Sequence, residues 1–476
     1  MNLDQAGSIF FNGIKGVGMS GLAVFCKQMG KQVGGADSQE HFITDSFLEK
    51  QGIAQIQSFE EPLPAHVDML VYSSAHQGSK NRLVLEASNR GIRVMHQAEF
   101  IGSIMPSFTT SVAVCGSHGK STTSALLAFA LRQLHAEPSY FVGVPRFNGM
   151  DGSHFGKKDY FVVEADEYGV DVPQDTTPKL LSLHPTHVLV TNIDYDHPDV
   201  YKNIEQVKEV FKKFMQNKNI IASADDKELS DILQTFPRSS YQTYGFSDEA
   251  DLHITSFHSS ETEISFELLY QKKPIGSFQI ELFGEKNATN TAGVILTLLE
   301  LGYDADAIRS AIRNFRGAER RFQCIGQVQT MRVFDDYAHH PTEIEAVIEA
   351  ARERFPTSQL IICFEPHTYS RTFSLKNEFV TALSRADFAF IAPIFPSARE
   401  NPEMYPISAT DLELLAKERG IQNVTALAHR EEFIPRVLTL LKPNTVIFTM
   451  GAGSIYQISE DIVAMLSTTQ EPVLKT

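Results

Sequence analysis

Residues 110–124 read Thr-Thr-Ser-Val-Ala-Val-Cys-Gly-Ser-His-Gly-Lys-Ser-Thr-Thr. A β-rich run from Ser111 to Cys115 meets two glycines, Gly116 and Gly119. Lys120, Ser121, Thr122 and Thr123 follow, and then an apolar helical stretch from Ala125 to Leu134. Strand, glycine loop, Lys-Ser/Thr and helix is the layout of a phosphate cradle. Glycines let the backbone turn tightly and bring N–H groups to phosphate oxygens. The helix N-terminus adds partial positive charge. Lys120 can reach the β- and γ-phosphates, and the Ser121 hydroxyl can ligate Mg²⁺. The loop is a short form, Gly-x-x-Gly-Lys-Ser, with Val114 where the usual pattern has its first glycine. The competing reading is a glycine turn before a surface helix, with Lys120 solvated. The strand before and the helix after favour phosphate.

Downstream of the loop lie strand ends rich in polar residues. Asp159 to Glu164 reads as a buried strand running into Glu164, Asp166 and Glu167. A carboxylate there is the natural second ligand for Mg²⁺, although exposed acids at strand ends are common. Val188 to Asn192 is a second strand, ending near Asp194, Asp196 and His197. Residues 251–283 alternate and predict antiparallel strands. Asn287 and Asn290 share one face of the next helix, which suits either an adenine edge or helix capping. Residues 108–316 thus form a central α/β domain.

Upstream, residues 1–107 predict a first α/β domain. The strand Ser8-Ile-Phe-Phe-Asn leads into Gly13-Ile-Lys-Gly16-Val-Gly18-Met-Ser-Gly21 and a helix, and a second strand ends in Asp37. This is the dinucleotide-type fingerprint, serving a nucleotide or, alternatively, used only as scaffold. Another strand ends in Ser73-Ser74. Beyond the joint at Arg320-Arg321-Phe322, residues 317–476 alternate strand and helix, which predicts a parallel, doubly wound sheet. Its strand ends carry Asp335–Pro341, Pro366–Arg371 and Gly451–Ser454.

The formal charge of −16 argues against sequence-independent binding to nucleic acid, which needs a basic footprint, but permits anionic small ligands. Cys26, Cys115, Cys324 and Cys363 lack metal-ligand spacing and predict reduced thiols in a cytoplasmic protein. The N-terminus has no basic n-region or signal h-region, and no apolar run approaches membrane-spanning length.

Together these motifs resemble the Mur ligase family, the ATP-dependent amide-bond ligases of peptidoglycan synthesis. The resemblance covers nearly the whole chain. It rests on Gly116–Thr123, Glu164–Glu167, Thr191-Asn192 with Asp196-His197, Asn287-x-x-Asn290, Arg320–Phe322 and Asp335–Pro341. Four segments are most similar to the alanine-adding branch: the N-terminal glycine loop, Asp336–Glu343, Pro366–Thr372 and Ser397–Glu400.

The resemblance implies three domains: a Rossmann-like N-terminal domain, a central P-loop ATPase-type α/β domain with an added antiparallel sheet, and a C-terminal Rossmann-like domain. The first would hold UDP-N-acetylmuramate through Gly16, Gly18, Met19, Ser20, Asp37, Ser73 and Ser74. ATP would lie on Gly116, Ser117, His118, Gly119, Lys120, Ser121 and Thr122. Ser121 with Glu164 would hold one Mg²⁺ and His197 a second. Asn287 and Asn290 would face adenine, Asp336 the ribose, and Arg321 the phosphates from across the hinge. His367 and Arg371 would receive the carboxylate of L-alanine, with Asn192, Tyr337 and His339 also at the substrates. Lys120, Glu164, His197 and Arg321 would be the catalytic set, in a monomer or homodimer.

The chain departs from the family pattern at several positions. Ser117 and Ser121 replace threonine, Lys15 a frequent glycine and Lys286 a frequent histidine. Asn81-Arg-Leu stands for Asn-Pro-Glu. Lys212 aligns with a lysine carbamylated in some members, though its Phe-Lys-Lys-Phe setting favours a solvated lysine. Three other functions compete: a ligase that recycles a whole tripeptide onto the same sugar nucleotide, a non-catalytic nucleotide sensor, and an NAD-dependent oxidoreductase.

Overall fold

The computed structural model describes residues 5–42, 44–53, 56–172, 174–396, 400 and 402–468. Residues 1–4, Ser397 to Arg399 of the alanine-type segment, and residues 469–476 of the expected third domain lie outside that set.

Among the described residues three large sheets follow one another along the chain, beside a two-stranded antiparallel ribbon of Gly169–Asp171 and Asp175–Pro178. The first has four parallel strands in the order Gln32–Ala36, Ser8–Asn12, Met69–Tyr72 and Arg93–His96. Phe11 faces the helix Val17–Gln28, while Phe10 packs with the helix Arg82–Asn89 on the opposite face. The strand order reverses between Ser8–Asn12 and Met69–Tyr72, which is where such sheets open a ligand crevice.

The second sheet has ten strands and is continuous. Its centre is parallel: Tyr241–Gly245, Asn219–Ser223, His187–Val190, Thr110–Cys115 and Lys157–Glu164. Runs such as Val112–Val114 and Val188–Val190 are apolar on both faces because both faces are covered. The expected added antiparallel sheet is an extension of this one. Tyr244 and Gly245 pair in parallel with Leu252 and His253, and the meander Leu252–Ser259, Ile264–Tyr270, Lys273–Ile280 continues from there. The opposite edge is the hairpin Pro138–Phe147 and Met150–His154, for which the sequence reading had no element.

The third sheet has six strands. Met331–Asp336, Thr445–Met450, Gln359–Phe364, Phe388–Ile391 and Val424–Ala426 are parallel. Gln323–Val328 adds an antiparallel edge to the expected doubly wound sheet.

The first two units share one apolar core. Phe25 of the helix Val17–Gln28 lies 5.4 Å from Phe155 and 5.8 Å from Phe161. Gly21 permits this approach, since a Cβ there would meet the Phe141 ring at 3.0 Å. Arg354 pins the third unit to the second: its guanidinium lies 3.4 Å from the Phe283 ring centroid, and its Nε donates to the Glu261 carbonyl at 2.8 Å. Among the described residues no helix is long and apolar enough to cross a membrane.

Candidate active site

The glycine loop closes the strand Thr110–Cys115 and opens the helix Lys120–Gln133. Gly116 and Gly119 have φ of 133° and 82°, conformations that side chains resist. A Cβ on Gly119 would also meet Asn290 Nδ2 at 2.8 Å. Three neighbours knit the loop in place. Asn192 clamps His118, accepting its N–H at 2.9 Å and donating to its carbonyl at 2.9 Å. Thr191 Oγ1 donates to the same carbonyl at 2.6 Å. Ser117 Oγ donates to the Asp194 carbonyl at 3.1 Å and accepts the Asp194 N–H at 2.8 Å.

Lys120 is not solvated. Its Nζ donates to the Gly116 carbonyl at 2.7 Å and lies 2.8 Å from Glu167 Oε2. Burial works against its charge, yet Glu167, Asp166 and Glu164 hold it above the ordinary lysine range. Ser121 Oγ donates to Glu164 Oε1 at 3.1 Å, and the other Glu164 oxygen accepts the Gly143 N–H at 2.9 Å. His197 lies with Glu167 and Asp166, one donor atom from each within 4.8 Å of the others. Its Nε2 is 3.4 Å from Glu167 Oε1, and its φ is 57°, in the left-handed region. Burial would lower its pKa, but Asp196 and Glu167 raise it above the ordinary value. Lys212 lies in the last turn of the helix Ile204–Met215 and is half-buried.

The third unit closes over this loop. Arg320 and Phe322 both have positive φ, 60° and 48°, which bulky residues adopt only when held. Phe322 N–H donates to Asp336 Oδ2 at 2.7 Å, and Arg320 Nε lies 3.0 Å from Asp335. Those bonds aim Arg321 back across the joint, where its Nη2 reaches Ser121 Oγ at 3.4 Å. Asp336 lies below Arg321. Its second oxygen accepts the Ala338 N–H at 2.7 Å, and burial raises its pKa to about 6. His118 bridges the two units, with Nε2 3.1 Å from Asp194 and Nδ1 3.3 Å from Glu343. Burial alone would lower its pKa, and the two carboxylates instead raise it to about 9. Between the units lies a cavity of about 420 Å³ lined by Thr122, Asn192, Asn287, Asn290, Arg321 and Asp336, among others. Asn287 Nδ2 donates to the Phe283 carbonyl at 2.8 Å, so one side of that amide is already engaged.

A second polar group lies on the same face of the third unit. The Tyr337, His339 and His367 rings succeed one another at 5.2 and 6.3 Å. Burial lowers the His339 pKa to about 3 and keeps it neutral. Arg371 is buried and crosses to the central unit: Nε lies 2.8 Å from Asp196 Oδ1 and Nη2 3.3 Å from Oδ2. Its Nη1 donates to the His367 carbonyl at 3.3 Å.

At the first sheet, Gly16 caps the helix Val17–Gln28. Met19 and Ser20 are buried, and Ser20 Oγ donates to the Val17 carbonyl at 3.0 Å. Gly18 packs near Gln97. Asp37 accepts the N–H groups of Lys15 at 2.7 Å and Ser38 at 2.8 Å and faces His76 at 3.3 Å. Ser73 Oγ sits against Gly13, and Ser74 is buried nearby. Lys15 turns its ammonium away to the Glu40 carbonyl at 2.7 Å.

Three family models match in succession: the Mur ligase family catalytic domain over residues 8–109, the Mur ligase middle domain over 114–298, and the Mur ligase glutamate ligase domain over 320–453. Curated relatives named UDP-N-acetylmuramate–L-alanine ligase match over nearly full length. The one from Desulfitobacterium hafniense is 33% identical over 96% of this chain and 99% of its own. The one from Lactobacillus acidophilus is 34% identical over 95% and 97%. The chain belongs to the Mur ligase family. Its fold is also that of the UDP-N-acetylmuramate–alanine ligase of Thermotoga maritima, with a TM-score of 0.77 at 23% identity over 97% of this chain and all of that one. The murein peptide ligase of Psychrobacter arcticus gives 0.70 at 21% identity, over 96% of this chain and 98% of its own.

Mur ligases are ATP-dependent ligases, and this Mur ligase brings Lys120, Ser121, Glu164 and Arg321 to one point. Glu167, Asp194, Asp196 and Glu343 all make charged contacts in the site. Sequence reasoning offers Glu167 as one of three candidate Mg²⁺ acids and places Asp194 and Asp196 in a polar cluster, but gives Glu343 no role and none of the four its partner. Glu343 sits at the third position of the helix Pro341–Arg354 as a capping-box acid, and that local pattern masks its reach to His118.

Proposed function

We propose that this Mur ligase joins L-alanine to the carboxylate of UDP-N-acetylmuramate, splitting ATP to ADP and phosphate through an acyl phosphate. On this reading residues 1–107 hold the sugar nucleotide, 108–316 hold ATP, and 317–476 supply the amino acid. It acts on small molecules alone, in the cytoplasm, as a monomer or homodimer. The net charge of −16 supports the exclusion of nucleic acid. The full-length similarity to curated L-alanine ligases supports the substrates. The observation that supports the reading is Arg321 Nη2 at 3.4 Å from Ser121 Oγ across the joint, which suits a cation meeting phosphate on the glycine loop.

A carboxylate attacking a γ-phosphate is an anion meeting a polyanion. Lys120 and Arg321 offset that repulsion from two sides, and the loop N–H groups hold the β-phosphate. Lys120 exchanges Glu167 for phosphate when ATP binds. Ser121 and Glu164 are hard oxygen donors 3.1 Å apart and fit Mg²⁺, while His197 beside Glu167 would hold a second ion. Mg²⁺ there supplies charge neutralisation for the transferring phosphoryl group.

The bidentate contact with Asp196 uses one edge of the Arg371 guanidinium. Five N–H donors leave its terminal edge able to receive the alanine carboxylate. His339, held neutral, does not repel the amine. Closure of the third domain excludes water from the acyl phosphate.

Phosphate release is the test. With UDP-N-acetylmuramate, Mg²⁺ and ATP, release is expected on adding L-alanine and not on adding L-alanyl-D-glutamyl-diaminopimelate. Preference for the tripeptide would assign the recycling reaction instead. No release with either would leave a nucleotide sensor.

A further inference from the structure

Two histidines and an aspartate, drawn from both sides of the joint, bring ring nitrogens and one carboxylate oxygen together. His118 Nε2 lies 3.1 Å and His340 Nδ1 3.8 Å from the same atom, Asp194 Oδ2. The two imidazoles are 4.8 Å apart between ring centroids. One donor atom from each of the three residues falls within 4.8 Å of the others. Ligands placed tetrahedrally about 2.0–2.1 Å from a zinc ion sit roughly 3.3 Å from one another, so small turns of the rings suffice. The group is separate from Ser121, Glu164 and His197. Lys120 and Ser121 reach Glu167 and Glu164, whereas His118 reaches Asp194 and Glu343.

The atoms behind these donors are arranged as they are around a metal. The Tyr195 carbonyl can only accept, so His340 Nε2, 3.2 Å away, carries the ring proton. Nδ1 then holds a lone pair, engaged only by the Thr342 N–H at 3.3 Å. Glu343 Oε1 faces His118 Nδ1 at 3.3 Å, the carboxylate–histidine pairing that steadies a ligating imidazole by its far nitrogen. Asp194 is aimed as well: Oδ1 accepts the Tyr195 N–H at 2.7 Å, and Oδ2 accepts the Thr342 hydroxyl at 2.7 Å. Asn192 and Thr191 fix the backbone of His118. Two carboxylates beside two neutral imidazoles leave the charge that a divalent cation cancels. Imidazole nitrogen suits zinc, nickel or copper, whereas Mg²⁺ takes oxygen.

We propose that His118 Nε2, Asp194 Oδ2 and His340 Nδ1 bind a divalent transition-metal ion of the zinc class, with water as the fourth ligand. The ion takes the place of the proton on His118 Nε2, which passes to solvent, while Nδ1–H stays on Glu343. His118 and Asp194 belong to the central unit and His340 to the third, so the ion ties the glycine loop to the third unit and holds the joint closed. The site goes beyond the ligase reading and does not depend on it.

Titration of the full chain with Co²⁺ tests it, because Co²⁺ occupies zinc sites and absorbs visible light strongly only when few ligands surround it. His197→Gln serves as background, since it removes the other acid–histidine group among the described residues. That protein should take up one strongly absorbing Co²⁺, displaced by an equivalent of Zn²⁺ but not by excess Mg²⁺, and Zn²⁺ should raise its Tm. Adding His340→Asn, which keeps an acceptor for the helix cap, should weaken binding at least about tenfold, as loss of even an outer-shell partner does, and abolish the rise in Tm. The pale spectrum of six-coordinate Co²⁺, or displacement by Mg²⁺, would overturn the proposal whether or not His340→Asn folds. So would unchanged affinity in a folded His340→Asn. If His197→Gln does not fold, wild type should hold one more strongly absorbing Co²⁺ than His340→Asn alone, and equal spectra would overturn the proposal.

Discussion

Replacing Lys120 with methionine is expected to lower the rate of phosphate release about a thousand-fold while leaving the fold intact. The magnitude follows from removing one preorganised cation from a transferring phosphoryl group, which costs about 10²–10³ for a single oxyanion donor and more for a full charge. Methionine keeps the length and apolar stem of lysine, so the core under the loop is preserved. The ammonium alone is lost, along with its bonds to the Gly116 carbonyl and Glu167. Glu167 retains His197 at 3.4 Å, so its carboxylate is not left without a cation. Single-turnover phosphate release, read beside circular dichroism, separates the two effects. A loss under tenfold in a folded variant would mean that Lys120 points elsewhere when ATP is bound.

The second large effect concerns stability. Arg371 and Asp196 form an ion pair that is almost wholly enclosed and joins the third unit to the central one. Burial works against ionisation of Asp196, and Arg371 outweighs it, holding that carboxyl well below the usual range. Breaking such a pair from one side leaves an uncompensated charge and costs about 3–5 kcal/mol. Arg371→Met and Asp196→Leu should each lose that much in denaturant unfolding. The double variant should recover most of it, since an apolar pair in the same volume is often neutral or better. On the proposed function, activity should not return in the double variant, because the guanidinium edge proposed to receive the amino-acid carboxylate is gone. Single variants within 1 kcal/mol of wild type would show the pair to be solvated, and the two units to be joined by other contacts.

The contrast between these residues shows what the sequence makes legible. The Gly116–Ser121 loop is readable because its signal is local: strand, glycines, lysine, hydroxyl and helix lie within one short window. The strand ends at Glu164, His197, Asp336 and Arg371 are readable for a related reason, since parallel sheets gather ligands at one end of their strands. Partner choice among them is not local. Glu164 and Glu167 are three residues apart with the same side chain, and only the path of the chain after the strand sends one to Ser121 and the other to Lys120. Asp196 and Arg371 are 175 residues apart, and His118 and Glu343 meet only because the third unit closes on the loop. The hairpin Pro138–His154 contains Gly143, Gly149 and Gly152, which weaken any alternating pattern.

The central claim is that the sugar's carboxylate is phosphorylated before the amine attacks. UDP-N-acetylmuramate carrying oxygen-18 in that carboxylate tests it most directly, with mass analysis of the phosphate released on turnover with ATP and L-alanine. One labelled oxygen in each released phosphate is predicted, because the oxygen that attacks phosphorus leaves with it. Unlabelled phosphate, with amide still formed, would contradict an acyl phosphate and the arrangement of Lys120, Ser121 and Arg321 argued for it.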